Sequence, residues 1–503
     1  MQEFHIRTAK PQAVRNRDGT MPAQELYASL RGQLYDRRMP AQDLQPRRDL
    51  NLTHATSLVV GITIGTGVFL KTAAMAQAVG SPALVVAAWA VAGAVAILGA
   101  LCFAELGALL PDAGGEYVYL RAAFGEIPGF LYACNSFVLG GASVAAYGAA
   151  VAIFLGDIHP FGAQWLARSV HLLGVDYTLS FGLRQLIAIG VIALFALINC
   201  LGVILGGRVQ TLLTVAKVAA ILAITLGVFV FGEGAGAANL HAPVAIANGG
   251  LAGFGTAMFA ALWAYSGWQY LPMAAGEVQE PQRNLPRAII GGTLLVLAIY
   301  LGVNIAYLYA LPFWQVASSN STAYPDAPSV AARAVQTFLG MRAAPVAALI
   351  FLISAAGSLN GTILTRARVA YAAARDGLFF APFGTLSPRT RVPVISLVLL
   401  CVWAALLAVS GTFDQLTNMA VMSYALFWIP VALAVMVLRR RWPDMPRPYR
   451  LPGYPLVPLL FVLVMVWIVV SAFITTSKES ITTLVLILLA LPLYPLFRRR
   501  RGA

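Results

Sequence analysis

The chain is 503 residues long, 59% hydrophobic and only 11% charged, with a mean hydropathy of +0.77. Soluble proteins carry roughly 25% charged residues, so this composition excludes a soluble globular domain. The net charge of +14 raises nucleic-acid binding as a reading, and the placement of that charge along the chain excludes it.

Residues 1–50 are polar and rich in arginine, with no apolar h-region of a cleavable signal peptide. They read as a largely disordered basic tail. Within them AQELYASLRGQLYDRR (23–38) has the pattern of a short surface helix, with a solvated tail as the plainer reading. Apolar runs then lie near 53–78, 83–110, 127–155, 184–204, 209–231, 252–275, 288–311, 344–365, 393–411, 416–438, 455–475 and 481–497. Each is long enough to cross a bilayer as a helix, which predicts an all-α membrane protein with 12 transmembrane helices. Alternate loops then fall on opposite sides. One side, holding both termini, carries 27 Lys and Arg; the other carries five (Arg168, Arg184, Arg333, Arg342, Lys478), and Lys71 and Lys217 lie within spans. Basic loops stay inside, so both termini are expected in the cytoplasm of a multi-pass plasma-membrane protein, with a bacterial inner membrane as the expected location. Arg439–Arg441 and Arg498–Arg501 read as inside-facing anchors.

Cys102, Cys134, Cys200 and Cys401 all fall in spans and read as small hydrophobes, with no disulfide expected. His5, His54, His159, His171 and His241 are scattered without metal-ligand spacing, and no G-x-S-x-G elbow occurs. The sequence therefore predicts no enzyme, no cofactor and no metal.

Two spans are interrupted. GITIGTGVFL (61–70) breaks the first and ALWAYSGWQYL (261–271) breaks the sixth, five spans later. Interrupted helices at matching positions of two halves point to an inverted repeat with the binding site between them. The expected architecture is a LeuT-type 5+5 repeat, with 51–232 and 250–438 as the halves and two additional helices in 451–498. A mid-membrane break frees backbone groups that are costly in hydrocarbon, and it is tolerable where it lines a cavity. The half-helix after the break offers N–H groups and a positive dipole end to a carboxylate. Gly65, Thr66 and Gly67 are the expected carboxylate donors, and Ile64, Trp263 and Ser266 the carbonyl acceptors for an ammonium. Gly61 and Gly65 also share a G-x-x-x-G spacing that can serve helix packing. No preceding strand and no G-x-x-x-x-G-K pattern supports a phosphate loop.

Several stretches together resemble one family. GITIGTGVF (61–69), ALCFAELGALLPDAGGEYVYL (100–120), INCLGVILGGRVQTLLTVAKVAA (198–220), LWAYSGWQYLPMAAGEVQEPQRNLPRAI (262–289) and AAGSLNGTILTRARVAYAAARDGLF (355–379) are similar, in order, to motifs of amino acid permeases of the APC superfamily, L-type amino acid transporter branch. The resemblance implies a sodium-independent amino acid carrier, often an exchanger. It places Trp263 as an aromatic gate beside Ala264, Gln269 where some members support the broken helix with asparagine, and Asn360 and Thr362 in the span-8 motif near a former sodium site. Eukaryotic relatives carry a cysteine between spans 3 and 4 that pairs with a heavy subunit. Residues 156–183 contain none, so no disulfide-linked heavy subunit is expected. Amino acid substrate and membrane lipid are the expected partners. LGGASVAA (139–146) departs from a proline-serine motif of several relatives, so substrate choice transfers poorly.

Lys217 lies mid-span, about eight residues from either end. A lysine at the centre of a membrane helix costs about 2.5–3.5 kcal/mol on insertion scales and is functional by default. In the family, an amine at this place substitutes for an ion between spans 1 and 8, and its expected partners are a carbonyl of the first break and Ser358 or Thr362. Lys71 is nearer a span end and reads as snorkelling. Glu105 and Glu277 are expected to pair with Arg121, Arg283 or Arg368. No acid lies at mid-depth in spans 3, 6, 8 or 10, and Gly140, Gly141, Ala142 and Ser266 suggest room for a side chain. Neutral amino acids are therefore expected, moved by exchange; proton symport and exchange against an amine are the alternatives. A channel lacks a continuous polar lining, and a receptor lacks a signalling domain.

Overall fold

The computed structural model describes residues 44–500, apart from 160, 163, 173–174, 234–235, 241–249, 322, 325–326, 410–412 and 476. The 23–38 stretch lies outside the described residues. Uncharged Ala, Leu, Val and Ile fill the runs between turns, and in hydrocarbon such a run satisfies its own backbone only as a helix. The first span divides into α1 (Leu52–Thr63) and α2 (Gly67–Val79), followed by α3 (Pro82–Leu109), a short connecting α4 (Glu116–Phe124) and α5 (Glu126–Ile158). Asn51 starts α1 by accepting the His54 N–H at 2.9 Å, and Pro82 opens α3 where its missing N–H costs nothing. An antiparallel hairpin, β1 (Leu166–Leu172) and β2 (Val175–Phe181), pairs Leu166 with Phe181 and Leu172 with Val175.

The chain continues as α6 (Leu183–Cys200), α7 (Val203–Phe231) and α8 (Gly250–Tyr265), which leads into a 3-10 helix (Trp268–Glu277). Then come α9 (Pro281–Ala310), the short α10 (Phe313–Ala317) and α11 (Val330–Leu339), α12 (Ala343–Arg375), α13 (Val394–Val409) and α14 (Phe413–Arg441). The last are α15 (Leu456–Thr475), α16 (Ser477–Leu488) and α17 (Tyr494–Arg500). Among the described residues ten helical runs are long and apolar enough to cross a membrane. The other two expected spans are also helical: α13 has 16 residues, and the sixth is divided by its break. The protein is an all-α membrane protein.

Burial separates centre from rim. The best apolar window of α1 and α2 is 83% buried and that of α5 is 78% buried, against 33% for α6, α7 and α15. Leu197, Leu212 and Leu226 accordingly face outward. The broken first span and α5 form the centre, with α5 packed along α12, α3 along α9, and α2 along α8.

Three features depart from the sequence reading. The hairpin was not expected, since Leu173-Gly174, the pair between the strands in sequence, is not one of the Asn-Gly, Asp-Gly or Gly-first pairs that mark one most strongly. The eighth span runs ten residues past the expected boundary at 365, to Arg375. Arg366 and Arg368, counted among loop cations, are therefore buried helix residues, 4% and 1% exposed. Finally, Glu105 finds neither Arg121 nor Arg283. It takes Arg439 at 2.5 Å, Arg447 at 3.3 Å and the Leu451 N–H at 2.8 Å. Arg121 pairs with Asp376, and Arg283 with exposed Glu280 at 3.7 Å.

Glu277 does pair with Arg368, at 2.9 Å, both buried. The same end of the sixth span bonds to the start of the first, through Leu50 N–H to the Glu277 carbonyl at 2.9 Å and Gln279 N–H to the Leu50 carbonyl at 2.8 Å. Removing one partner of a buried pair strands the other, at about 3–5 kcal/mol. Arg368→Ala is expected to lower the melting temperature of the detergent-purified protein clearly below wild type, whereas Arg283→Ala leaves it unchanged.

Candidate substrate site

The two breaks lie against each other. A Cβ on Gly67 would stand 2.6 Å from Ala264 Cα, and one on Gly267 would strike the backbone N and side chain of Thr63. Only glycine lets the two interrupted chains approach so closely.

Helix α1 ends by releasing carbonyls that have no helical partner, and neighbouring spans cover them. Lys217, fully buried on α7, donates to the carbonyls of Gly61 at 2.8 Å, Ile64 at 2.7 Å and Ser354 at 2.7 Å. Three acceptors match the three protons of an ammonium. A neutral amine would turn its lone pair toward one of those oxygens. Gly357 leaves the room: a Cβ there would be 2.7 Å from Nζ. Ser354 Oγ lies 3.0 Å from the Ile64 carbonyl, and Ser358 Oγ 3.1 Å from that of Ile62. Tyr300 OH, from α9, lies 2.7 Å from the Thr63 carbonyl and 2.9 Å from that of Ala264, joining both breaks.

Helix α2 begins at the other side of the gap. Thr66 caps it with no side-chain cap bond, so the N–H groups at its very start are left without a cap at the positive end of the helix dipole. Gly65 N–H turns back to the Thr63 carbonyl at 2.8 Å and is thereby engaged. Trp263 Nε1 donates to Thr66 Oγ1 at 3.3 Å, and its ring stacks on Tyr147 of α5 at 5.4 Å between centroids. Ser266 Oγ donates to the Trp263 carbonyl at 2.9 Å. Gln269 Oε1 accepts the Gly267 N–H at 2.7 Å, while its Nε2 is buried without a partner.

The expected residues therefore fall into two groups. Ile64, Gly65, Thr66, Gly67, Trp263, Ala264, Ser266, Gln269, Lys217 and Ser358 meet around the paired breaks. Asn360 does not: its side chain joins Asn199 at 2.9 Å, Gln210 at 2.9 Å and the Gly206 carbonyl at 3.1 Å, tying α12 to α6 and α7. Lys217 reaches α12 through the Ser354 carbonyl rather than through Ser358 or Thr362, and the buried Thr362 Oγ1 has no partner. Gly140 and Gly141 do not leave open room; Arg366 and Trp403 fill the space beside them. Tyr147 and Tyr300 were missed. Their signal is a polar-tipped ring inside an apolar span, which normally finds a partner.

The paired breaks, the buried lysine and the sequence point the same way. The chain matches the family described as amino acid permease over residues 50–491. It belongs to the amino acid permease family. It is 30% identical over 467 residues to the serine/threonine exchanger SteT of Bacillus subtilis (strain 168), covering 92% of this chain and 100% of that protein. The b(0,+)-type amino acid transporter 1 of Mus musculus is 28% identical, covering 90% of this chain and 88% of its own length. The human large neutral amino acids transporter small subunit 2 is 30% identical over 82% of this chain and 74% of its own. Within the family this permease resembles the L-type branch.

Thr66 and Ser266 flank the gap with no space to spare, both essentially buried. Thr66→Trp and Ser266→Trp are expected to abolish amino acid binding, read by scintillation proximity on folded protein. Unchanged affinity in both would move the site elsewhere.

Proposed function

We propose that this permease exchanges α-amino acids across the plasma membrane without sodium, by alternating access between two inverted repeats, 51–232 and 250–438, with the arginine-rich face in the cytoplasm. The observation that carries the reading is Lys217. Its ammonium joins α7 to the last carbonyls of α1 and to α12, where a sodium ion would otherwise have to neutralise the same oxygens. A fixed cation does that work in every cycle and leaves no gradient-driven ion to bind.

The substrate α-carboxylate takes the free N–H groups at the start of α2 with the Thr66 hydroxyl, as an anion does at a helix N-terminus. The substrate ammonium faces the carbonyls at the ends of α1 and α8. Side chains with a positive charge are disfavoured, because no acid lies beside the gap to pair with one. Proton symport through Lys217 is the weaker reading, since all three ammonium protons are already bonded. The similar serine/threonine exchanger SteT supports exchange, and the absence of cysteine from 156–183 supports a carrier that works without a disulfide-linked heavy subunit.

Sodium-free proteoliposomes test the reading. Labelled amino acid is expected to enter only vesicles preloaded with unlabelled amino acid. Accumulation in empty vesicles under an inward proton gradient would replace exchange with symport.

A further inference from the structure

A second intramembrane cation is not used by this account. Arg366 on α12 is 4% exposed. Its Nη2 donates to Tyr270 OH at 2.8 Å and to Tyr424 OH at 2.9 Å. Its Nη1 reaches Ser136 Oγ at 3.3 Å and the Ser136 carbonyl at 3.4 Å. Nε is buried with no partner. The guanidinium also lies over the rings of Tyr270 and Tyr424, at 4.7 and 5.3 Å. Tyr424 OH in turn bonds Ser143 Oγ and Tyr270 OH. Gly140 makes this possible, because a side chain there would collide with Nη1. Three elements, α5, the 3-10 helix and α14, thus place neutral oxygens around a charge buried on α12.

What the cluster lacks is an anion. Among the described residues no carboxylate forms an ion pair with Arg366. The nearest in effect, Glu116 on α4, is hydrogen-bonded by Tyr132 and acts on Arg366 only through space. Burial pushes the Glu116 carboxyl up to about 7, against the pull of its backbone amide, Tyr132 and Arg366, so near neutrality it carries only part of a charge. Glu116 Oε2 also has no hydrogen-bond partner. A buried guanidinium with a free Nε and only neutral acceptors is an incomplete anion site, since charges out of water are stable when paired and hydrogen-bonded.

Tyr147 connects the site to the substrate gap, since it interacts electrostatically with Arg366 and Tyr424. Tyr147 packs 3.2 Å from where a Gly65 Cβ would stand. Gly140, in contact with the guanidinium, precedes Tyr147 by seven residues on α5, about 10 Å along the axis. The tyrosine ring leans back toward the start of α5, and so toward the guanidinium. An extended glutamate separates its carboxylate carbons by about 5 Å, and the C–O bond with a hydrogen bond of about 2.9 Å at each end extends the reach between donors to about 12 Å, long enough to span those seven residues of α5.

Resting on the exchanger reading, we infer that Arg366 determines specificity for amino acids whose side chain ends in a carboxylate. The α-carboxylate sits at the α2 N-terminus and the side-chain carboxylate meets the guanidinium, with Tyr270 and Tyr424 hydroxyls beside it. The inference departs from the expectation of neutral substrates, starting from the place where Gly140 was read as open room and Arg366 fills it.

Glutamate and glutamine differ by charge at nearly equal shape, so their relative binding isolates the guanidinium. Competition of each against a labelled amino acid is measured on purified protein and in sodium-free exchange. Wild type is expected to prefer glutamate or aspartate over the matching amide by tenfold or more, and Arg366→Gln to lose that preference. Arg366→Lys, which keeps the charge and loses the fork, is expected to fall between them and serves if Arg366→Gln does not fold. Equal or weaker competition by the acids in wild type overturns the inference, as does a preference that survives in Arg366→Gln. Exchange of amides without acids would leave the exchanger reading standing. Binding of acids without any exchange would leave this inference standing and overturn the other.

Discussion

The backbone hydrogen bonds of a helix broken in mid-membrane must be satisfied from outside that helix, and this constraint organises the whole protein. Four successive carbonyls at the end of α1, from Gly61 to Ile64, receive Lys217, Ser358, Tyr300 and Ser354 from three different helices. Each donor sits on a helix that could otherwise pack by apolar contact alone. The requirement fixes which helices must surround the first span, and it explains why that span is the most buried of the ten long apolar runs among the described residues. The N–H side of the same break has no side-chain cap. One end is thus closed by protein donors, and the other has the polarity that the proposed carboxylate site requires.

Using a lysine for part of this closure has a mechanistic consequence. A bound sodium ion would make the closure conditional on the gradient, whereas Lys217 makes it permanent. Its three bonds involve both α1 and α12, so any movement of α1 relative to α12 must exchange those bonds. Tyr300 extends the coupling to the second break. The face opposite the hairpin is tied separately, by Arg368 with Glu277, Arg439 with Glu105 and the Leu50 backbone bonds. Opening toward that face would require those ties to part.

Much of this was legible in the sequence because hydrocarbon leaves few options. Long uncharged runs predict helices, and glycine clusters inside two of them predict breaks. A lysine far from either span end predicts an internal partner. What stayed hidden depended on side-chain direction. Asn360 belongs to the span-8 motif, yet its amide points to α6 and α7. Arg366 was assigned to a loop because the hydropathy of α12 falls at Thr365, although the helix continues for ten residues with its charges turned inward. Two glycines read as pocket space are packing sites for Arg366 and Trp403. A hydropathy pattern counts residues and does not say which neighbour fills the space beside a glycine.

The central claim is that the Lys217 ammonium holds the first break together, and amide hydrogen exchange in wild type and Lys217→Ala tests it directly. Hydrogen bonds to a charged group contribute about 1.5–3 kcal/mol, so their loss corresponds to roughly ten- to hundredfold faster local opening. Exchange is expected to accelerate by that factor in peptides covering residues 58–67 and 354–358, with the hairpin at 166–181 unchanged and transport lost. Unchanged exchange across the break, with wild-type transport, would contradict the account.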